Sequence, residues 1–254
     1  MPNTTLLEAS SVVKTYGGLR AVDELSFRVE EGETFGIAGP NGAGKTTLFD
    51  VVTGMVRATA GQIRLKGKAI EDATVHEICQ LGIARTFQQP SVFTSQTVLS
   101  NALAGAQFGV RRSWWAPLRL GSSELDRARA ELEFVGLGEL SSTPAGLLPV
   151  YDKKRLMVAS AMATDPELLF LDEPFGGLNS GEVDELMGLL RAIKARQVTL
   201  VLIEHVMRAL MSLSDRVLIM NHGRPLFEGS PSDVLADEEV ARVYLGRSRA
   251  GHDQ

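Results

Sequence analysis

One eight-residue stretch, Gly39-Pro40-Asn41-Gly42-Ala43-Gly44-Lys45-Thr46, constrains the fold more than any other part of the chain. Its spacing is glycine, four residues, glycine, lysine, then serine or threonine. A short apolar run, Thr34–Ala38, precedes it and a helical pattern over 44–52 follows. The chain therefore turns from a buried strand into a helix through a glycine loop. Glycines let backbone N–H groups face inward around phosphate oxygens. The helix start adds the positive end of its dipole. In that frame Lys45 neutralises β- and γ-phosphates, and the Thr46 hydroxyl can ligate Mg²⁺. The expected phosphate-binding set is Gly39, Pro40, Asn41, Gly42, Ala43, Gly44, Lys45, Thr46 and the adjoining Thr47. The bland alternative is a glycine turn with an incidental lysine.

Strand and helix patterns alternate around this loop. Residues 6–16 and 21–30 read as strands joined at Gly17-Gly18, and 62–70 alternates again with a turn near Gly67. The middle, 98–163, is mostly helical, and 125–135 sets apolar residues at helical spacing between charges. Strand patterns return at 168–171, 198–203 and 216–220, with a helix over 182–195 between the first two. Such alternation predicts a parallel sheet with crossover helices, here interrupted by a helical insertion.

Two further signals fall at strand ends. The run Leu168-Leu169-Phe170-Leu171 ends in Asp172-Glu173. An acid at the end of a buried parallel strand points into the crevice where ligands bind. Asp172 is expected to hold Mg²⁺, directly or through water, and Glu173 to polarise the attacking water as general base. Read alone, the pair is also compatible with a helix start before Pro174. His205 follows the strand pattern 198–203 and is placed to donate to a γ-phosphate.

Composition excludes several classes. A net charge of −5 lacks the basic bias of a general nucleic-acid binder, so no nucleic-acid partner is expected. The lone cysteine, Cys79, cannot form an internal disulfide; a reducing compartment is the simplest reading, and the thiol is expected to act as a small buried hydrophobe. The first ten residues lack the basic start and apolar core of a secretion signal. No uncharged apolar run approaches the roughly 20 residues that span a bilayer. The expectation is a chain that is neither secreted by a visible signal nor integral to a membrane, with docking on a membrane protein left open.

Taken together, these residues resemble the ATP-binding subunit of an ABC transporter over nearly the whole chain. Residues 39–46 are similar to the Walker A motif and 168–173 to Walker B. Gln88, in Ala84-Arg85-Thr86-Phe87-Gln88, resembles the Q-loop glutamine, which links γ-phosphate and Mg²⁺ to the permease-facing lobe. Asn179, in Gly177-Leu178-Asn179, stands where the D-loop has an aspartate. His205 resembles the switch histidine, and Tyr16 the aromatic that stacks on adenine; Tyr16 as plain core packing stays open. Gly82-Ile83-Ala84-Arg85-Thr86-Phe87-Gln88, the insertion 111–129, Ile203-Glu204-His205 and Val243-Tyr244-Leu245-Gly246 further resemble the branched-chain amino-acid importer ATPases (LivG/LivF type). The resemblance implies a P-loop NTPase (RecA-like) α/β fold: a parallel-sheet core with an antiparallel β subdomain, about 1–87 and 165–245, a helical subdomain, about 88–164, and a disordered tail, 246–254. It implies ATP and Mg²⁺ as ligands, hydrolysis coupled to import, permease subunits, a second ATP-binding subunit and a substrate-binding protein as partners, and the cytoplasmic face of the inner membrane as location.

One segment departs from the family. Where the signature Leu-Ser-Gly-Gly-Gln belongs, the chain has Leu148-Pro149-Val150-Tyr151-Asp152, ahead of Lys153-Lys154-Arg155. In the family this segment meets the γ-phosphate held by the partner subunit. Pro149 offers neither hydroxyl nor N–H, and Val150 and Tyr151 put side chains where backbone must approach closely. Loss of one donor to a developing oxyanion costs about 2.7–4 kcal/mol. A heterodimer is favoured, with one competent site built on this chain's Walker motifs and a partner's intact signature. Simple divergence that still closes on nucleotide is the alternative. A weakly hydrolysing regulatory subunit is a second reading, and a soluble ABC ATPase acting on DNA or translation a third. Arg111-Arg112-Ser113-Trp114-Trp115 could touch lipid or permease, or pack on its own lobe. His76, His222 and His252 show no metal spacing, and Met207 and Met211 read as core.

Overall fold

The computed structural model describes residues 4–109 and 122–244. Along the chain run β1 (Thr5–Tyr16), β2 (Leu19–Glu30), β3 (Thr34–Ala38), α1 (Lys45–Val52), β4 (Ala60–Leu65) and β5 (Lys68–Ala69). Next come α2 (Val75–Gln80), β6 (Ile83–Arg85), α3 (Val98–Phe108), α4 (Ser122–Phe134) and α5 (Val150–Met162). The chain continues through β7 (Leu168–Asp172), α6 (Ser180–Ala195), β8 (Thr199–Ile203), α7 (Met207–Leu213), β9 (Arg216–Asn221), β10 (Arg224–Gly229), α8 (Pro231–Ala236) and α9 (Glu238–Tyr244). Residues Arg111 to Trp115 and the segment 246–254 lie outside the described residues. Two compact units result: Met1–Val52, Val56–Asp72 and Val201–Gln254 form one, and Thr53–Met55 and Ala73–Leu200 the other.

The first unit holds an antiparallel sheet in the order β2-β1-β4-β5. β1 and β2 pair from Thr5↔Glu30 to Tyr16↔Leu19, leaving Gly17-Gly18 as the turn. In β2 the buried residues Leu25, Phe27 and Val29 alternate with exposed Ser26 and Arg28, the period of a strand with one face on a core. A second set of strands has the order β10-β9-β3-β8. All five residues of β3 are buried, as a central parallel strand requires, and its Phe35 to Ala38 lie beside Arg216 to Ile219 of β9. β10 departs from the expected all-parallel pattern by running antiparallel to β9. Only His222 and Gly223 separate the two, with φ of 47° and 79°, and a two-residue turn joins antiparallel strands. α7 buries Ala209, Leu210 and Leu213. Met207 and Met211, expected in the core, are half-buried, because the apolar stripe runs one step round the helix.

The second unit has the strand order β8-β7-β6. β7 is buried throughout and pairs parallel with β6, Ile83↔Leu168 through Arg85↔Phe170. α3 packs on α4 and α5. Thr97 caps α3 by accepting the Ser100 N–H at 3.1 Å. Asn179 caps α6: its side-chain oxygen accepts the Glu182 N–H at 3.0 Å, and the Glu182 carboxylate accepts the Asn179 N–H at 2.9 Å. Asparagine and aspartate cap equally well, so the departure from the D-loop aspartate leaves this helix start intact. Cys79 is half-buried rather than fully buried; its thiol faces the Phe108 carbonyl at 3.6 Å, and burial pushes its pKa up. Among the described residues no helix is long and apolar enough to cross a membrane.

Candidate functional site

In the first unit the glycine loop leaves β3 and enters α1. Gly39, Gly42 and Gly44 have φ of 151°, 80° and 98°, the left-handed region that disfavours side chains. Their surroundings differ. A Cβ on Gly39 would stand 2.1 Å from the Met220 carbonyl oxygen, and one on Gly44 2.1 Å from that of Ala21. A Cβ on Gly42 would meet nothing within 4 Å. Gly39 and Gly44 thus clamp the loop onto β9 and β2, while Gly42 leaves its outer face open. Ala43 ties the loop down further: its N–H donates to Pro40 O at 3.1 Å, and its carbonyl accepts the Gly223 N–H at 3.0 Å. Buried Leu48, Phe49, Val51 and Val52 anchor α1 behind it.

Lys45 is the first residue of α1 and is 6% exposed. Its Nζ donates to Gly39 O at 2.8 Å and Pro40 O at 3.0 Å, so the ammonium is drawn over the loop rather than out to solvent. Asn41 and Thr46 are exposed and Thr47 is half-buried. Tyr16 ends β1, is 48% exposed, and carries Lys14 Nζ over its ring at 4.9 Å. His205 is exposed just past β8. The residue before it, Glu204, is 1% exposed, and its carboxylate accepts the N–H groups of His205 and Val206, both at 2.8 Å. That buried acid sets the turn carrying the histidine, a role its place beside His205 alone did not reveal.

The remaining candidates lie in the second unit. Asp172 ends β7 and is 3% exposed. Its Oδ2 accepts from Arg85 Nη2 at 2.9 Å. Glu173 follows with φ 47°, a backbone state costing about 1–2 kcal/mol for a residue with a Cβ. Its Oε2 accepts from Gln88 Nε2 at 2.7 Å, and its carbonyl accepts from Lys154 Nζ at 3.3 Å. The structure thus brings Gln88 to Glu173 and adds Arg85 to Asp172. The signature segment opens α5. Leu148 is buried, while Pro149 occupies the cap position with no side-chain bond and Val150 is exposed. Tyr151 stacks under the Arg155 guanidinium, 4.7 Å from its ring centre. Burial, with a hydrogen bond to Glu185, pushes the Tyr151 phenol up to about 12.

The donor chemistry suits a phosphate and a hard cation. The open face at Gly42 leaves room for phosphate oxygens beside the backbone. In the first unit the Thr46 hydroxyl is exposed at a helix start, and in the second Asp172 by itself holds a cationic group. No cluster of three or more His, Cys, Asp or Glu side chains fit for a metal occurs among the described residues.

Comparison with known proteins agrees with this chemistry. The family model described as ABC transporter matches residues 22–176, more than half of the chain. That span includes the glycine loop, Gln88, Asp172 and Glu173. The high-affinity branched-chain amino acid transport ATP-binding protein BraF of Pseudomonas aeruginosa is 37% identical over 251 residues, 96% of this chain and 98% of its own length. LivG of Escherichia coli, described in the same terms, is 36% identical over the same shares. A crystal structure of the ADP conformation of an ATP-binding cassette of an ABC transporter superposes with a TM-score of 0.86 at 30% identity, covering 96% of this chain and 99% of that one. A nucleotide-free cassette superposes equally well, with a TM-score of 0.86. The chain, by its loop, its strand-end acids and its likeness to these proteins along almost its full length, belongs to the ABC transporter family of ATP-binding cassettes.

Proposed function

We propose that the chain is the ATP-hydrolysing subunit that energises an ABC importer for branched-chain or other amino acids, or similar small polar solutes. It works with permease subunits on the cytoplasmic face of the inner membrane, and a substrate-binding protein feeds the system. The observation that carries this reading is the glycine loop with its lysine, in a chain 37% identical to BraF over 96% of its length.

Each residue has a stated task. Tyr16 stacks on adenine. The N–H groups of 39–47 cradle the phosphates, and Lys45 neutralises β- and γ-oxygens. Glu173 takes the proton of the water whose oxygen bonds to the γ-phosphorus while the bond to the β-phosphate oxygen breaks. Gln88 orients Glu173 through the 2.7 Å bond, and His205 donates to the γ-phosphate. Thr46, Asp172 and Gln88 would hold Mg²⁺, which when bound neutralises charge on the transferred phosphoryl group.

A cavity of about 280 Å³ within the second unit supports a contact with the permease. Met55, Val75, Ile78, Phe87 and Met157 supply its apolar walls. Residues 83–87 line it too and run directly into Gln88, so a permease helix pressing there acts on the residue that holds Glu173.

The signature segment supports a heterodimer. Pro149 cannot donate, and Val150 and Tyr151 fill the approach. With several oxyanion donors lost at about 2.7–4 kcal/mol each, two copies of this chain would make two slow sites. One partner with an intact signature restores one site. The test is a pull-down of tagged Glu173→Gln chain from native membranes with ATP. Recovery of two permeases and a second ATPase with an intact signature is expected. Recovery of the chain alone, or of soluble partners, overturns the asymmetric importer and favours a regulatory subunit.

A further inference from the structure

The two acids ending β7 are held from one short segment. Gln88 bonds Glu173, and three residues earlier Arg85 bonds Asp172. The Arg85–Asp172 ion pair is closed off from solvent, with the two side chains 7% and 4% exposed. Register explains the contact: Arg85 lies beside Phe170 in the parallel β6–β7 pair, and Asp172, two residues on, projects from the same face. The guanidinium is fixed at its other end as well, where Nη1 donates to Thr53 Oγ1 at 3.1 Å. Its Cζ lies over the Phe87 ring, 5.1 Å from the centre. Nothing in the motif pattern asks for a cation here, because the aspartate's task is to meet a metal.

We propose that Arg85 is a positioning residue that serves Asp172 as a placeholder cation. It balances the buried carboxylate while no metal is present and opposes Mg²⁺ when nucleotide brings it. This rests on the reading of Asp172 as a Mg²⁺ ligand. Arginine cannot withdraw by losing its proton, so metal arrival requires the guanidinium to share or release Oδ2 against like-charge repulsion. Arg85 thereby raises the Mg²⁺ concentration at which nucleotide binds with its metal. Breaking this buried ion pair by removing its cation is also strongly destabilising.

The test uses Arg85→Met in the full chain, similar in length and without charge. Binding of a fluorescent ADP is titrated with Mg²⁺, and thermal unfolding is followed with EDTA or with Mg²⁺ and ADP. The Mg²⁺ midpoint is expected to fall by about tenfold or more, the scale on which groups touching a metal ligand act. The variant should melt lower than wild type in EDTA and gain more from Mg²⁺ and ADP. Adding Asp172→Asn should restore its stability in EDTA and abolish the gain. Arg85→Lys, whose single ammonium cannot bridge Thr53 and Asp172 together, should shift the midpoint the same way by less, and it carries the test if Arg85→Met does not fold. An unchanged or higher midpoint, with wild type still Mg²⁺-dependent, overturns the role of Arg85 alone. A wild type whose nucleotide binding ignores Mg²⁺ overturns instead the assignment of Asp172.

Discussion

The glycines of the phosphate loop are not equivalent, and alanine substitution separates their tasks. In Gly44→Ala the new Cβ lies 2.1 Å from the Ala21 carbonyl oxygen. That atom is backbone near the start of β2, so relief needs a shift of about 1 Å in a strand whose register is tied to β1. Left-handed backbone adds about 1–2 kcal/mol and overpacking about 1–3 kcal/mol. The expected loss of stability is about 2–5 kcal/mol. Gly42→Ala meets nothing within 4 Å and carries only the backbone cost, about 1–2 kcal/mol. The proposed function inverts the order, because a methyl at Gly42 stands on the open face that the proposal gives to phosphate oxygens. Urea unfolding of the nucleotide-free chain should place the midpoint of Gly44→Ala well below that of Gly42→Ala. ADP binding by folded Gly42→Ala should fall by more than its stability loss accounts for. Equal stability losses, or undiminished ADP binding by Gly42→Ala, would refute the division between clamping and ligand-facing glycines.

Other consequences follow from single contacts. Lys45→Ala removes both the phosphate counter-charge and the bonds to Gly39 and Pro40; phosphate release from ATP should drop by at least about 10²-fold, measured with the partner subunit present. The hydrogen bond from Arg20, with another from Arg224, holds Asp23 below its ordinary value of 3.8. A depressed folded pKa stabilises above the unfolded value and is lost as pH falls through the folded one. Acid unfolding of Asp23→Asn should therefore differ from wild type at neutral pH and converge with it well below pH 3.8. Tyr151 behaves oppositely: a phenol raised from 10 to about 12 stabilises fully below 10 and is lost as pH rises through 12. Tyr151→Phe should remove that alkaline loss in unfolding measured across this range.

What could be read from sequence was whatever depends on local conformation. β3 is visible because a strand buried on both faces is a continuous apolar run. The glycine loop is visible because φ of 80° and 98° at Gly42 and Gly44 belongs to glycine. β6 was invisible because three residues carry no period, and β10 because its antiparallel pairing is decided by the His222-Gly223 turn rather than by its own residues. Arg85 and Glu204 were missed for a different reason. Arg85 meets Asp172 across 87 positions of sequence, and Glu204 acts through backbone N–H groups. Neither contact leaves a local mark. The partnership of Gln88 with Glu173, 85 positions apart, came within reach only because the family resemblance named both.

The signature segment unites these two kinds of information. Sequence shows what it has lost: a hydroxyl, two glycines and, at Pro149, an N–H. Structure shows what its residues do in exchange. Tyr151 lies under Arg155. Arg155 in turn pairs with Asp152 and donates to the Val135 carbonyl at 2.9 Å, so the start of α5 is tied to the end of α4. A glycine at Tyr151 would remove the ring and its cation–π contact at once, leaving Arg155 stripped of its stacking partner. Restoring a phosphate-binding signature therefore means dismantling packing that now holds the second unit together. Val150 stays exposed and Pro149 makes no side-chain bond, so the contacts of the segment are those of Tyr151 and Asp152 with Arg155, an arrangement that fits the proposed heterodimer, in which another chain supplies the signature.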